Sequence, residues 1–481
     1  MKVCLINPSI REEALPTYVP SGLGYLAHYL EKDGHTCDIF DINALRLSDQ
    51  EIKMKFKEMS SYDVFGITGL ITNYLQMKQY SSLLKNLYPD KPIVVGGPVT
   101  TGLCKVFIER TKADIAVEGE GELIFVDLIN ALSHNMPLEY VPGLTIRDSK
   151  GKPFFTGPGK ILDSLDELPP MPWHKFHMDI YLKNNIITGY TFKNSINIMG
   201  SRGCPYRCNF CFDGAANRKL RFRSAKMCLR DIKLAHKKFT IDYFRWDDEL
   251  FVANVQRAKD FCTGMVSSGL NRKIKWGCTG RVNIVTPELL KLMRKAGCID
   301  INYGIESGSN RMLKNMNKVT TREMGLRAIK WTKEAGITPF TSFMVGTRDE
   351  DEESIWETVT FLKEADLLIP ELFFTTPNPG TELWEYCVKA GQIKDQEKFI
   401  IEMCKMGDFS KRPLVNITAL PTEKFIALKK KAQKQILINY LVNNKFRIPQ
   451  LAYQRYKRVG FKRFLGLCKN AIERLTATTG A

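Results

Sequence analysis

The sequence predicts an α/β protein made of two parallel sheets in series: a doubly wound N-terminal unit, then a partial (βα)6 barrel, then a helical basic C-terminal region. Three observations lead to this. Short β-rich runs alternate with helical periods over the first ~135 residues. Six prolines between Pro142 and Pro172 then interrupt any regular period. From Ser195 the alternation resumes through six more strand–helix repeats. A chain of 481 residues exceeds one ordinary core, so two or three domains are expected. The divisions are residues 1–135, a linker over 136–190, a barrel over 191–385, and the C-terminal region 386–481.

In the first unit, Val3 to Ile6, Cys37 to Phe40, Asp63 to Thr68, Pro92 to Gly96 and Asp114 to Val117 read as buried strands. Helical segments fall near Gly22–Lys32, Ser48–Met59, Tyr74–Leu87, Gly102–Glu109 and Glu122–Ser133. Five strands with five helices make a Rossmann-like or flavodoxin-like sheet, whose ligands sit at the C-terminal ends of the strands. Those ends carry Asn7-Pro8, Thr68-Gly69, Gly96-Gly97-Pro98 and Glu118-Gly119-Glu120-Gly121. Glycine there serves either close approach to a ligand or ordinary turns.

In the second unit the strands are Ser195 to Met199, Asp242 to Trp246, Ile274 to Cys278, Ile299 to Gly304, Thr338 to Val345 and Leu372 to Thr376. Helices near Ala225–Phe239, Val255–Ser268, Pro287–Ala296, Arg322–Ala335 and Glu353–Ala365 separate them. Thr286-Pro287 is a helix start, Gly297 a stop, and Thr320 with Glu323 has capping-box spacing. A barrel's active site lies at the C-terminal ends of its strands.

Ten of the thirteen cysteines are scattered singly, as buried free thiols are. The other three lie in Gly203-Cys204-Pro205-Tyr206-Arg207-Cys208-Asn209-Phe210-Cys211, directly after the first barrel strand. Three thiolates on one tight loop can each hold one iron of a cubane cluster, leaving the fourth iron open for substrate. A structural zinc site wants four ligands, and the nearest histidines in sequence are His177 and His236.

The spacing C-x3-C-x2-C with an aromatic residue before the last cysteine resembles the cluster loop of radical S-adenosylmethionine (SAM) enzymes. That resemblance implies a 4Fe–4S cluster on Cys204, Cys208 and Cys211. It implies chelation of the open iron by the amino and carboxylate groups of SAM, and reductive cleavage to methionine and a 5′-deoxyadenosyl radical. Phe210 would pack near the adenine. Asp247 and Asp248, in Arg245-Trp246-Asp247-Asp248-Glu249, would accept from the SAM ammonium, and Arg281 would pair with a carboxylate. Glu306, in Gly304-Ile305-Glu306-Ser307-Gly308, would bind ribose hydroxyls, with Lys318 typical of the same region. Ser342 to Asp349 is similar to the fifth-strand GxIxGxxE pattern, with Gly346 kept and Ser342 and Asp349 in the outer positions.

The N-terminal unit resembles the cobalamin-binding domain fused to many such enzymes, through Pro20 to Ala27, Val95-Gly96-Gly97-Pro98 and Glu118-Gly119-Glu120-Gly121-Glu122. The resemblance implies cobalamin contacts at Gly96, Gly97, Glu118 and Gly119. The loop Leu70-Ile71-Thr72-Asn73 would approach the cobalt face, with Thr72 among the contacts. No D-x-H-x-x-G motif supplies an axial histidine, and His35 reads as a turn residue. The implied activity is hydrogen abstraction from an unactivated carbon of a lipid, tetrapyrrole or natural product, followed by methylation from methylcobalamin or by cyclisation. The alternatives are a radical SAM enzyme whose N-terminal domain binds no cobalamin and a non-catalytic iron–sulfur protein. An external electron donor such as a flavodoxin or ferredoxin is implied.

The net charge is +18. From Lys424 onward fourteen Lys or Arg face one acid, Glu473, so the tail carries 14 − 1 = +13 of it. Phe461, Phe464, Leu465, Cys468, Ile472 and Leu475 share a helical face there. Such a face packs on the barrel or rests on an anionic membrane surface. No apolar run approaches the ~20 residues that span a bilayer, and the N-terminus lacks a signal peptide's long apolar core. A cytoplasmic protein follows, with peripheral contact at the inner membrane face as the tail's other reading. Nucleic acid is not an expected partner.

Overall fold

The structure is a computed structural model describing residues 1–10, 15–183, 192–212, 219–367 and 370–444. The first sheet contains β1 (Lys2–Asn7), β2 (Thr36–Asp41), β3 (Val64–Thr68), β4 (Ile93–Gly96), β5 (Ile115–Val117), β6 (Leu144–Arg147) and β7 (Pro153–Phe155). Its order is β2-β1-β3-β4-β5-β6-β7, and β1 to β5 are parallel. The order 2-1-3-4-5 is the flavodoxin-like one, with a crevice where the winding reverses between β1 and β3. Val3, Cys4, Leu5 and Ile6 are all buried, as a strand covered on both faces requires. Ser48 caps the Asp49–Lys57 helix in a reciprocal box with Glu51.

The proline-rich stretch is not a free linker. β6 and β7 join the first sheet antiparallel, so the sheet runs on to Phe155 rather than ending near residue 135. Beyond it, Leu162, Leu165 and Leu168 pack with Tyr25 and Met199, joining the two domains.

The second sheet comprises β8 (Ser195–Ile198), β11 (Tyr243–Trp246), β12 (Lys275–Gly280), β13 (Cys298–Glu306), β14 (Thr338–Val345) and β15 (Leu372–Phe374). All neighbours are parallel, in the order β15-β14-β13-β12-β11-β8, the expected six-stranded partial barrel. Between β8 and β11 lies a small antiparallel ladder, β9 (Ser201–Arg202) with β10 (Arg221–Phe222), whose strands flank the cysteine loop. Alternate residues face opposite ways. Phe244, Trp246 and Trp276 are buried against the helices, where Phe244 and Trp276 stack with centroids 6.2 Å apart. Asn197, Arg245, Thr279, Asn302 and Ser342, out of phase with them, are partly exposed. Apolar outside and polar inside is the pattern of a barrel that holds a polar ligand.

Thr286 caps the Pro287–Lys295 helix, and Gly297 ends it at φ +99°. The Arg322–Glu334 helix is capped by Thr321 rather than Thr320, because the Thr321 hydroxyl accepts from the Met324 N–H.

The region after the barrel turns back. Leu383, Trp384, Cys387, Ile393, Ile400 and Ile417 share one core with Val95, Val99, Leu103 and Phe107 of the first domain. The Glu382–Lys389 helix straddles the expected boundary at residue 385. The Thr422–Asn443 helix lies on the Glu352–Ala365 helix, and its Lys429 pairs with Glu371 at 3.2 Å. The apolar face expected at residues 461–475 falls outside the described residues. Among the described residues no helix is long and apolar enough to cross a membrane.

Three contacts set the domains edge to edge. Asn197 on β8 accepts from the Val19 N–H at 2.9 Å and donates to its carbonyl at 3.0 Å. Arg202 on β9 pairs with Glu120, just after β5, at 3.0 Å. Gly102, after β4, packs backbone to backbone on Gly380, after β15, so closely that a Cβ at Gly102 would sit 2.7 Å from Gly380 Cα. Each contact joins segments that follow strands of the first sheet to the barrel or to the loops beside its cysteine segment.

Candidate active site

The cysteine loop is held from outside by its backbone. Asn209 donates from its N–H to the Met316 carbonyl at 3.1 Å and from Nδ2 to the Asn315 carbonyl at 2.8 Å. The Asn317 side chain donates to the Arg207 carbonyl at 2.7 Å, and the Leu383 N–H donates to the Asn209 carbonyl at 2.9 Å. Cys204, Cys208 and Cys211 are partly exposed, whereas Cys4, Cys37, Cys104, Cys228, Cys262, Cys278, Cys298 and Cys387 are buried. Exposure on a shared loop separates the ligand-type thiols from the packing ones. Burial raises the Cys204 thiol pKa, and the Arg281 guanidinium works against that by favouring the thiolate. Among the described residues no three His, Cys, Asp or Glu side chains, the loop cysteines included, are drawn together as a metal site.

Arg281 follows β12 at the barrel mouth. Its guanidinium lies 3.5 Å over the Tyr206 ring, and its Nε and Nη2 are buried without a partner. A buried cation with unused donors fits an anionic group of a ligand, because leaving them unmet is costly. Glu306, at φ +69°, accepts from Lys318 at 2.9 Å, and Lys318 lies 5.9 Å over the Phe210 ring. The structure thus brings Phe210, Lys318 and Glu306 together. Gly346 is at φ +95°, where a Cβ would sit 2.9 Å from Phe425.

Asp247 and Asp248 differ. Asp247 is partly exposed at the barrel wall and accepts from Asn197 Nδ2 at 2.6 Å. Burial pushes its carboxyl up to about 7 from the ordinary range, with the Asn197 bond opposing. Asp248 is sealed in, so the expectation that it meets the SAM ammonium is corrected. Its Oδ1 accepts from the Gly200 and Ser201 N–H groups at 2.6 and 2.8 Å, and Arg257 lies 3.4 Å from Oδ2. Arg257 returns bonds to the Gly200 and Arg223 carbonyls. Asp248 therefore fixes the backbone entering the cysteine loop, a role a sequence pattern of adjacent acids does not distinguish.

One further acid was missed. Asp349 is exposed at φ +59°. Its neighbour Glu350 is fully buried and accepts from the Gly346 and Thr347 N–H groups. The carboxyl that shapes the fifth-strand turn thus stands one residue later than the outer position assigned from the pattern.

At the first sheet's edge, Gly97 has φ +88°, and a Cβ there would meet Thr68 Oγ1 and come 3.2 Å from the Gly69 nitrogen. Gly119, at φ +89°, faces open space, whereas Gly96 has only Val117 in ordinary contact. Burial raises the Glu118 carboxyl above its ordinary range. Thr72 lies in the one-turn helix Ile71–Asn73, against which the Gln396–Met406 helix packs, with Cys404 Sγ donating to the Ile71 carbonyl at 3.3 Å. Of these glycines only Gly119 leaves room, so a ligand at this strand-end edge would enter there. His35 lies away from it, between the N-terminal amine at 3.3 Å and Asn130 at 3.1 Å.

A flavodoxin-like sheet and a partial barrel, meeting by their strand-end loops beside a three-cysteine segment, define a two-domain α/β protein. The profile described as the radical SAM superfamily matches residues 198–362, and that of the B12 binding domain matches residues 10–129. An uncharacterized methyltransferase of Pyrococcus horikoshii is 30% identical, over 81% of this chain and 83% of its own. The anaerobic magnesium-protoporphyrin IX monomethyl ester cyclase of Rubrivivax gelatinosus is 27% identical, over 83% and 72%. The solved structure of the radical SAM methyltransferase TsrM from Kitasatospora setae, with cobalamin and a 4Fe–4S cluster bound, superposes with a TM-score of 0.67. It shares 17% identity and matches 81% of this chain and 75% of its own. The chain belongs to the radical SAM superfamily, with a B12-binding domain ahead of the barrel, and is an enzyme whose cofactors are a 4Fe–4S cluster, SAM and cobalamin.

Proposed function

We propose that the enzyme transfers a methyl group to an unactivated carbon of a small-molecule substrate. The observation that carries this reading is the meeting of the first sheet's strand-end loops with the cysteine-loop face of the barrel. The two cofactors are thereby directed at one shared space. Cys204, Cys208 and Cys211 hold the cluster, which supplies the electron that cleaves SAM. Arg281 takes the SAM carboxylate and Asp247 its ammonium. Glu306, steadied by Lys318, takes the ribose hydroxyls, while Phe210 and the turn at Gly346 flank the adenine. Gly96, Gly97, Glu118, Gly119 and Thr72 line the cobalamin edge, and no described histidine stands there. The polar barrel wall of Asn197, Thr279, Asn302 and Ser342 favours a ligand rich in hydrogen-bonding groups over a bare hydrocarbon. Lipid, tetrapyrrole and natural-product substrates with polar groups remain within the class.

Ring formation is the second reading, favoured by the similarity to the cyclase of Rubrivivax gelatinosus. Anaerobic reconstitution with iron, sulfide and hydroxocobalamin, followed by reduction and addition of SAM, separates the two. Release of S-adenosylhomocysteine supports methyl transfer, whereas 5′-deoxyadenosine without it supports ring formation. Changing all three loop cysteines to alanine is expected to remove iron while cobalt stays. Equal iron in both proteins would overturn the assignment of the cluster to these thiols. The one-electron donor is external, of flavodoxin or ferredoxin type. The cytoplasm is the expected compartment, and the basic tail either packs its apolar face on the barrel or gives peripheral contact with the inner membrane face. Sedimentation with anionic vesicles tests this; no co-sedimentation at low salt removes the membrane contact.

A further inference from the structure

The turn Glu118-Gly119-Glu120-Gly121-Glu122 is two-sided. Gly119, after β5, meets open space, whereas Glu120 and Glu122 pair with the barrel's small ladder. Glu120 bridges both strands of that ladder. One oxygen accepts from Arg202 Nη1 on β9 at 3.0 Å, and the other accepts from Arg221 Nη2 on β10. Glu122 takes the remaining arm of Arg202 at 2.5 Å. Arg221 also donates to the Leu162 carbonyl, and Arg202 lies 5.9 Å over the Tyr25 ring.

Arg202 and Arg221 are directly opposed partners in the β9–β10 ladder. Two like charges facing each other across a pair of strands repel. Here two arginines meet two glutamates, the charges cancel, and no side chain of the four is more than 16% exposed. Charges this enclosed are little screened, and such a group holds only when every member is present. The ladder is two residues per strand, pairing Arg202 with Arg221 and Ser201 with Phe222. Its strands are also the two ends of the segment that carries Cys204, Cys208 and Cys211.

We propose that Glu120 and Glu122, with Arg202 and Arg221, form a positioning latch that closes the base of the cluster loop against the cobalamin-binding domain, so that occupancy of one cofactor site is felt at the other. The coupling rests on cobalamin binding at the Gly119 edge; the latch itself does not. Glu120, Glu122, Arg202 and Arg221 are positioning residues, because they touch the loop base rather than the reacting atoms. Coupling of this kind is reciprocal: whatever cobalamin does to the loop, the filled loop does to cobalamin affinity.

The test is backbone amide exchange in the full chain, anaerobic and cluster-reconstituted, with and without hydroxocobalamin. Wild type is compared with Glu120→Gln and, should that variant not fold, with Arg221→Lys. Without cobalamin, the variant should exchange residues 201–202 and 221–222 at least tenfold faster than wild type; equal rates there overturn the latch. In wild type, hydroxocobalamin should slow exchange at residues 118–122 and also at the ladder. In the variant it should slow only residues 118–119. Bound cobalamin that leaves the wild-type ladder unchanged overturns the coupling. Loss of cobalamin binding in Glu120→Gln with ladder exchange unchanged would make Glu120 a ligand contact and overturn the latch. A wild-type chain that binds no hydroxocobalamin sinks the coupling and the cobalamin reading together, and the latch is then judged by the cobalamin-free comparison alone.

Discussion

Replacing Asp248 by alanine separates a structural role from a SAM-binding one. The change removes two backbone bonds, from the Gly200 and Ser201 N–H groups, and leaves Arg257 without its carboxylate. Asp248 and Arg257 side chains are 0% and 6% exposed, so water does not take over. Hydrogen bonds to a charged group contribute about 1.5–3 kcal/mol each. Removing one partner of a buried pair costs about 3–5 kcal/mol in total. The Arg257 guanidinium keeps its bonds to the Gly200 and Arg223 carbonyls, which argues for the middle of that range, about 4 kcal/mol. For a domain of this size each kcal/mol moves Tm by roughly 2–4 °C, so the barrel's transition should fall by roughly 8–16 °C. Asp248→Asn retains an acceptor oxygen and should lose roughly half as much. Differential scanning fluorimetry of the cofactor-free chain reads both. A drop below about 2 °C, together with lost SAM binding in the reconstituted enzyme, would refute this reasoning and return Asp248 to the ligand.

Arg281→Met should raise Tm of the cofactor-free chain, since it removes a buried cation with unused donors, yet weaken SAM binding at least tenfold by calorimetry. A lower Tm with unchanged SAM affinity would contradict this. Glu350 is held near 7 by burial, against an ordinary value of 4.5. Its folded pKa is raised, so the stability it contributes is complete below about 4.5 and is lost as pH rises to about 7, a change of roughly 3 kcal/mol. Denaturant titrations from pH 4 to 8 should show that slope in wild type and a flatter one in Glu350→Gln; parallel curves would count against it. Gly119→Ala meets no atom within 4 Å but carries the strain of φ +89°, so it should cost about 1 kcal/mol of stability and lower hydroxocobalamin affinity. An unchanged dissociation constant would place the cofactor elsewhere.

Strand and helix positions followed from periodicity and turn residues because both sheets are parallel and buried, and such strands read as short apolar runs. The β14 strand and the Tyr74–Leu87 and Ala225–Phe239 helices match their expected limits. The cysteine loop was readable because three ligands within eight residues need no tertiary contact to be recognised. What escaped depends on pairing at a distance. β6 and β7 hide among prolines, and their place is fixed by the edge of β5. Asp247 and Asp248 look alike in sequence, and only the neighbouring Arg257 and the Gly200 backbone separate them. Glu120 and Glu122 sit in a motif read for its glycines, and nothing local shows that two arginines some 80–100 residues later claim them. Glu350 had a weak local signal, the turn glycine four residues before it, but the GxIxGxxE spacing aligns Asp349 instead.

The shared core at the back of the first domain bears on the order in which the enzyme is made. Residues emerge from the ribosome at about 5–20 per second, and leading domains generally fold first. Here Val99, Leu103 and Phe107 have their outer cover in Leu383, Trp384, Ile400 and Ile417. This flank of the leading domain is therefore uncovered until residue 417 has been made, with its apolar side chains exposed in the interval. Tyr74 and Lys78 likewise wait for Glu397, which they meet at 2.7 and 2.6 Å. Shortening the protein at the end of the barrel would therefore uncover this flank of the first domain as well.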